Sequence, residues 1–387
     1  MAILKRVLAG LHRTASGLRF AARSRAWQPA MSRPRPQLDT VLISGFFNEA
    51  LGIGRAGALI ANGLEAKGIT VVREDLRPFD RGLLTRGPSL LPSGAPVWLI
   101  HANPPEARIA LFTHAGWQDR YRIGYWAWES SRAPDAWADV AQWFHEIWVP
   151  SAFVRDAVAA ILPADQAAKL KVVPTPVPIP PPSERGGGPV TALTLFDPRS
   201  SFNRKNPAGA IQAWLKALPE PGDVRLIVKT LSGAESHTQF QALQTLVTGR
   251  DDIVFMAQTL DDAATARLIA DCDILISLHR GEGYGLPLAE AMALGKAVLA
   301  TGWSGNLEFM TPDNAMLVPY RLIPADAGYN GPSAQWADPD IDAAATALKT
   351  LLTNDSLRTQ LGAQARTRMT HINDAWLSAP NKTQSEN

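Results

Sequence analysis

From Thr40 onward, short runs of β-branched and aliphatic residues alternate with longer stretches whose apolar positions recur at helical spacing. That alternation predicts an α/β chain, in which crossover helices connect parallel strands. The runs Thr40–Ser44, Thr70–Glu74, Val97–His101, Arg122–Trp126, Glu146–Pro150 and Lys171–Val173 read as strands of a first unit. A second series, Ala192–Phe196, Val224–Lys229, Ile253–Met256, Ile274–Leu278, Ala297–Ala300 and Ala315–Val318, follows the segment PIPPPSERGGG. Proline and then glycine in such density suit neither helix nor strand, so residues 178–188 read as a linker. The first domain is then 38–177 and the second 189–378, whose last helices can pack back on the first. Two doubly wound sheets joined this way enclose a cleft between the carboxyl ends of their strands, where open sheets hold ligands.

Composition adds that the chain can fold as two cores. It has 387 residues, 46% apolar and 19% charged, a balance that excludes a disordered polyelectrolyte. Charge is uneven: residues 1–37 hold Lys5 and the arginines 6, 13, 19, 23, 25, 33 and 35 with no acid, and taking that +8 from the net +2 leaves −6 for the remainder. The positive charge is an N-terminal attachment, not a nucleic-acid footprint on the fold, so no nucleic-acid partner is expected. Leu4, Val7, Leu8, Leu11 and Leu18 share one side of a helix, so 1–37 reads as a basic amphipathic or flexible extension whose residues 1–27 could lie on an anionic membrane surface. A transit peptide and a plain disordered extension are the other readings. Charges interrupt the apolar run far short of the ~20 residues that span a bilayer. The polar tail 379–387 is expected to be disordered. A lone cysteine, Cys272, permits no internal disulfide and suggests no zinc cluster, so a cytoplasmic protein is expected, peripheral at the cytoplasmic face of a membrane at most.

The candidate chemistry lies after the apolar run Asp273–Leu278, in HRGEGYGLPLAEAMALGKAVLAT. Gly281, Gly283 and Gly285 let the backbone turn tightly toward a ligand, and N–H groups at the helix start near Leu286 to Leu288 can hydrogen-bond phosphate. Glu290 can accept hydrogen bonds from both hydroxyls of a ribose, leaving Glu282 on the loop to contact a sugar. An ordinary glycine-rich turn with solvated glutamates is the plain alternative. The segment resembles the E-x7-E motif of retaining glycosyltransferases of family 4, with Ser277, Glu282, Gly283, Gly285, Leu286, Pro287, Glu290, Ala291, Met292 and Gly295 falling where that pattern has them. TGWSGNLEFM resembles the family's downstream turn through Ser304, Gly305 and Glu308. This resemblance, spanning most of 40–320, implies the GT-B fold of two facing Rossmann-like domains with an interdomain cleft. It also implies a donor site drawn from Glu290, Gly283, Tyr284, Gly285, Leu286, Ser304 and Gly305.

In FDPRSSFNRKNP, Lys205 matches the lysine that similar proteins use on the donor diphosphate. Their arginine falls where Ser200 stands here, so that role passes to Arg204, Arg199 or Lys229, with solvated charges flanking a helix as the plain alternative. GFFNEALGIGRAG resembles the family's N-terminal glycine-rich loop and puts Gly52, Gly54 and Arg55 on the acceptor side of the cleft floor. His101 and Asn103 end the strand PVWLIHAN, where open sheets present ligand contacts. His101 is a candidate catalytic group and Asn103 an acceptor contact, although a satisfied core histidine fits as well. The aromatic stretch IGYWAWESS resembles a WAWE-containing subgroup in which that run ends a strand beside the acceptor cleft. Its rings suit sugar stacking and Glu129 an acceptor hydroxyl, or most rings are core and only Trp128 and Glu129 reach the cleft.

What the resemblance implies is a retaining, hexosyl-type glycosyltransferase taking a sugar from a nucleotide diphosphate sugar to a glycan or lipid-linked acceptor, in cell-envelope polysaccharide or lipopolysaccharide biosynthesis. Its catalytic group would be Glu282, Lys205 and His101. Basic side chains and a helix N-terminus would stabilise the departing diphosphate, so neither a metal nor another cofactor is expected. A GT-B sugar-nucleotide epimerase and a non-catalytic nucleotide-sugar-binding protein are the alternatives.

Overall fold

Two six-stranded parallel sheets organise the computed structural model, which describes residues 25, 27–48, 52–78, 89–181 and 187–378. In chain order the strands are β1 (Thr40–Gly45), β2 (Thr70–Asp75), β3 (Ser89–Leu90), β4 (Val97–His101), β5 (His114–Ala115), β6 (Tyr121–Tyr125), β7 (Glu146–Val149) and β8 (Leu170–Val172). The second half supplies β9 (Val190–Leu195), β10 (Val224–Thr230), β11 (Ile253–Ala257), β12 (Ile274–Ser277), β13 (Ala297–Thr301), β14 (Met316–Val318), β15 (Tyr320–Pro324) and β16 (Gln335–Pro339). Each of the twelve expected runs is a strand of one of the large sheets, its ends within two residues of those expected. Their apolar continuity has a simple cause: helices cover both faces, so β4, β6 and β13 are buried at every position.

The first sheet runs β2-β1-β4-β6-β7-β8 and the second β11-β10-β9-β12-β13-β14. In each, the chain reverses direction across the sheet beside its first strand, between β1 and β4 and between β9 and β12. At such a switch point the two flanking loops leave toward opposite faces and open a crevice at the strand ends. The structure is therefore GT-B: two Rossmann-like domains whose crevices face each other.

Residues 173–181 cross between the sheets, and Val177 is buried in the second domain's core beside Leu193. The last helix, Asp355–Ser378, returns to the first domain. There Lys67 donates to the Trp376 carbonyl at 3.1 Å, and the Trp376 ring packs over Gly63.

Two departures from expectation concern the edges of these domains. The described part of the N-terminal segment is not a free extension: Trp27 is buried edge-on against Trp117 and Trp143, at 5.0 and 5.3 Å between ring centroids. Arg33 donates to the Asp119 carbonyl and Arg35 lies 3.6 Å from the buried Glu146, so 27–37 belong to the first domain. Residues 1–24 and the tail 379–387, with the membrane-surface and disorder expectations attached to them, lie outside the described residues. The second departure is the antiparallel β15–β16 hairpin, which leaves the second sheet and reaches the first domain.

Candidate functional site

The two crevices merge into one cleft of about 630 Å³. Its second-domain wall starts at the end of β12, where the chain turns through Gly281–Gly285 into the helix Leu286–Ala293. Gly285 adopts φ +93°, a conformation a side chain would strain, and this turns the first helical turn toward the cleft. Pro287 has no N–H, so donors at this end come from Leu286 and Leu288. Gly283 meets the first domain directly, its carbonyl accepting from Ser151 Oγ at 2.7 Å.

Glu282 is buried at the centre of this wall. Its Oε1 lies 2.5 Å from Lys205 Nζ and 3.3 Å from Arg204 Nη1. Burial pulls its pKa upward, but Lys205, Arg204 and His279 outweigh that pull and hold the carboxyl down at about 2. Glu282 is therefore ionised at any working pH; it is neither a proton donor nor an effective base, and its fit is to sugar hydroxyls and positive charge. Arg204 is 3% exposed. Burial lowers its pKa, yet Glu129 and Glu282 more than reverse this and leave it raised. Lys229 also lines the cleft; burial depresses its pKa while Asp197 opposes the change.

On the facing wall His101 ends β4, with its ring stacked on Tyr125 at 4.3 Å between centroids. It is 1% exposed, and among the described residues neither ring nitrogen has a hydrogen-bond partner. Burial lowers its pKa from 6.5 to about 4, so at neutral pH it is an uncharged imidazole with two unspent polar atoms at the cleft. An NMR titration of the imidazole should place its apparent pKa near 4; a value near 6.5 would mean that water reaches the ring. The linkage sign follows: between 6.5 and 4 the unfolded chain binds the proton and the folded chain does not, so stability falls as pH falls through that window. Asn103 lines the cleft while its Oδ1 accepts from Ala127 N at 2.8 Å, which holds the loop carrying Glu129. Gly52 and Glu129 line the same wall.

Of the expected site residues, Glu282, Gly283, Tyr284, Gly285, Leu286, Arg204, Lys205, Lys229, His101, Asn103, Gly52 and Glu129 thus line one cleft. Others stand elsewhere. Trp128 is not among the residues lining the cleft: its indole N–H donates to Ser130 and to the Arg132 carbonyl, and its ring packs on Trp137 and Tyr329. Ser304 and Gly305 lie behind the Glu282 loop, not along the cleft, with Ser304 Oγ accepting from Glu282 N at 2.9 Å and Gly305 N donating to the Glu282 carbonyl at 2.8 Å. Gly54 is buried inside the helix Gly52–Ala66. Arg55 is not among the residues lining the cleft: its Nε and Nη2 hold Glu290 Oε1 at 3.2 and 3.1 Å, and its Nη1 holds Asp262 at 2.7 Å. Glu290 therefore closes an ion pair between the domains and is not among the residues lining the cleft, and among the described residues its Oε2 has no hydrogen-bond partner. Glu308 accepts from Ala152 N at 2.8 Å, at the start of a first-domain helix.

Tyr329 and Trp336, on the hairpin, were not anticipated as neighbours of the site; the Asn330-Gly331 pair between two short runs was the available turn signal. Trp336 Nε1 donates to the Glu129 carbonyl at 2.9 Å, and Tyr329 underlies Arg204. Among the described residues, no group of three or more His, Cys, Asp or Glu side chains could hold a metal ion.

Comparison with known proteins agrees with this architecture. Residues 195–354 match the family model of glycosyl transferases group 1. No curated protein sequence matches the chain. A Staphylococcus aureus TarM variant, solved in complex with fondaparinux, alpha-GlcNAc-glycerol and UDP, is similar at 12% identity and TM-score 0.54 over 73% of this chain and 54% of that one. This chain thus spans about half the length of TarM. Anabaena HepE in complex with UDP and glucose is 15% identical, with TM-score 0.60 over 87% of this chain and 97% of its own. Sucrose-phosphate synthase from Thermosynechococcus elongatus is 14% identical, with TM-score 0.62 over 88% and 96%. At these identities the likeness is one of fold.

Proposed function

We propose that this chain is a retaining glycosyltransferase of the family 4 type, moving a hexosyl-type sugar from a nucleotide diphosphate sugar to a glycan or lipid-linked acceptor. The observation that carries the proposal is the convergence of Lys205, Arg204 and Lys229 with the Gly283–Leu286 turn on one wall of a cleft, opposite His101, Asn103 and Glu129. Breaking the anomeric C–O bond puts negative charge on the diphosphate and positive charge on the sugar. Fixed cations and helix N–H donors answer the first, and the ionised Glu282 answers the second. Neutral His101 orients sugar hydroxyls without competing for the reacting proton, which passes from acceptor hydroxyl to departing phosphate on the same face of the sugar. Glu290, through its remaining oxygen, holds the ribose.

The match of the second domain to glycosyl transferases group 1 supports this assignment, and so do the UDP complexes of HepE and TarM. With three basic side chains at the leaving group, turnover is expected without a divalent metal. A place in cell-envelope polysaccharide synthesis, on the cytoplasmic face of a membrane, rests on the basic residues 1–27; among the described residues no helix is long and apolar enough to cross a membrane.

The test is to incubate the purified chain with UDP-, GDP- and ADP-sugars and a panel of glycan and lipid-linked acceptors, in buffer containing EDTA, and to read the product linkage by NMR. Acceptor-dependent release of the nucleoside diphosphate with a retained anomeric linkage is expected. An inverted linkage overturns the mechanism. Isomerised sugar nucleotide without acceptor makes the protein an epimerase, and donor binding without transfer to any acceptor makes it a binding protein.

A further inference from the structure

We infer that Tyr329 is a positioning residue for Arg204: it sets which edge of the guanidinium faces the cleft and so makes the site read a second phosphate. The inference rests on the nucleotide-sugar assignment above and adds to it a residue on the β15–β16 hairpin. Tyr329 Oη accepts from Arg204 Nε at 3.3 Å and donates to the Ser200 carbonyl at 2.8 Å. The guanidinium carbon lies 5.9 Å from the Tyr329 ring centroid. Arg204 Nη1 donates to the Gly281 carbonyl at 2.8 Å and faces Glu282. With Nε and Nη1 so committed, Nη2, 4.0 Å from Glu129 Oε1, is the nitrogen left for a ligand. A guanidinium is useful to a phosphate through the direction of its planar fork, so fixing Nε decides where the remaining donors point.

Tyr329 is itself held from both domains. Its ring packs against Trp128 and Trp336, with centroids 5.3 and 5.0 Å away. The neighbouring Asn330 donates through Nδ2 to the Arg132 and Ala133 carbonyls of the first domain, at 3.0 and 2.7 Å. The Tyr329 bond to the Ser200 carbonyl also clamps the residue before Ser201, whose φ of 134° is strained for a side chain. Arg204 follows that kink by three residues, so the tyrosine fixes both its backbone and its head group.

The experiment compares Tyr329→Phe with the wild-type chain by calorimetric titration of UDP, GDP and ADP and of the matching monophosphates. Phenylalanine keeps the ring packing and loses only the hydroxyl. Diphosphate affinity should fall about fivefold to tenfold while monophosphate affinity is unchanged, because on this inference Nη2 meets only the distal phosphate. Equal weakening of both nucleotides, or of neither, overturns the positioning role. In an Arg204→Lys background, which has no Nε to hold, Tyr329→Phe should cost nothing further; an additive loss also overturns it. If no nucleotide binds the wild-type chain, the donor-site assignment fails, and that outcome is distinct from a wild-type chain that binds diphosphate and a variant that binds it equally well.

Discussion

Lys205→Ala should lower turnover by about 10²- to 10³-fold while the chain stays folded, the range seen when one preorganised donor to a developing charge is removed. The lysine ends the kinked helix Pro198–Lys205 and sits on the cleft wall, with Nζ at 2.5 Å from Glu282. Such a pair has a structural and a chemical reading, and the two predict different losses. Were the lysine only a counter-ion, its removal would leave Glu282 unpaired in a buried site at a cost of about 3 to 5 kcal/mol. Arg204 remains 3.3 Å away, however, so the carboxylate keeps a cation and the stability loss should be far smaller. What goes is the ammonium that, on the proposed function, is held on the cleft wall for the departing phosphate. Steady-state kinetics beside a melting curve separate the cases: kcat within threefold of wild type would leave the lysine without a role in the chemistry.

The same variant changes acid behaviour in a set direction. A carboxyl held at about 2 in the folded chain stabilises it fully above the ordinary value of 4.5, and that contribution disappears as pH falls from 4.5 toward 2. Without Lys205 the downward pull weakens, so the variant has less stability to lose across that interval and its Glu282 titrates at higher pH.

The large sheets were legible because burial on both faces writes itself as continuous apolar runs. The β15–β16 hairpin was not, because β15 is largely exposed and its stability comes from Trp336 and Tyr329 packing on the first domain, a contact no local pattern reports. In the site, Glu282 and Lys205 stood out by motif. The orientation of Arg204 depends on the kink at Ser201 and on a tyrosine 125 residues away, so only the fold supplies it. Trp128 was placed by resemblance, which does not report that its indole is held by Ser130 and the Arg132 carbonyl. Arg55 and Glu290 were each placed by a separate motif, 235 residues apart, and no local pattern reports that they form one ion pair. Trp27 was hidden in the basic segment, where arginine density outweighed one buried ring.

Gly305→Ala should abolish measurable turnover and lower the melting temperature by about 4 °C, the shift expected from about 3 kcal/mol of overpacking in a chain of this size. A Cβ on Gly305 would overlap the Gly283 carbonyl and come within 2.7 Å of the Glu282 carbonyl oxygen. These are backbone atoms, so no side chain can swing aside; the Glu282 loop itself has to move. Gly283 is bonded to Ser151 and has little free space beside it, since even a Cβ there would come within 3.1 Å of the Trp128 carbonyl oxygen, which limits retreat. A shift of about 1 Å in the groups around a reacting centre is enough for a 10²-fold loss, and here Glu282 would move relative to both Lys205 and Arg204. Gly362→Ala supplies the control: its Cβ would likewise overlap a backbone carbonyl, that of Gly295, but neither glycine lines the cleft. It should therefore lose comparable stability and keep its turnover below the melting point. Equal activity in the two variants would mean that the loop absorbs the methyl in place, and that the glycine behind it is not what holds the cradle in register.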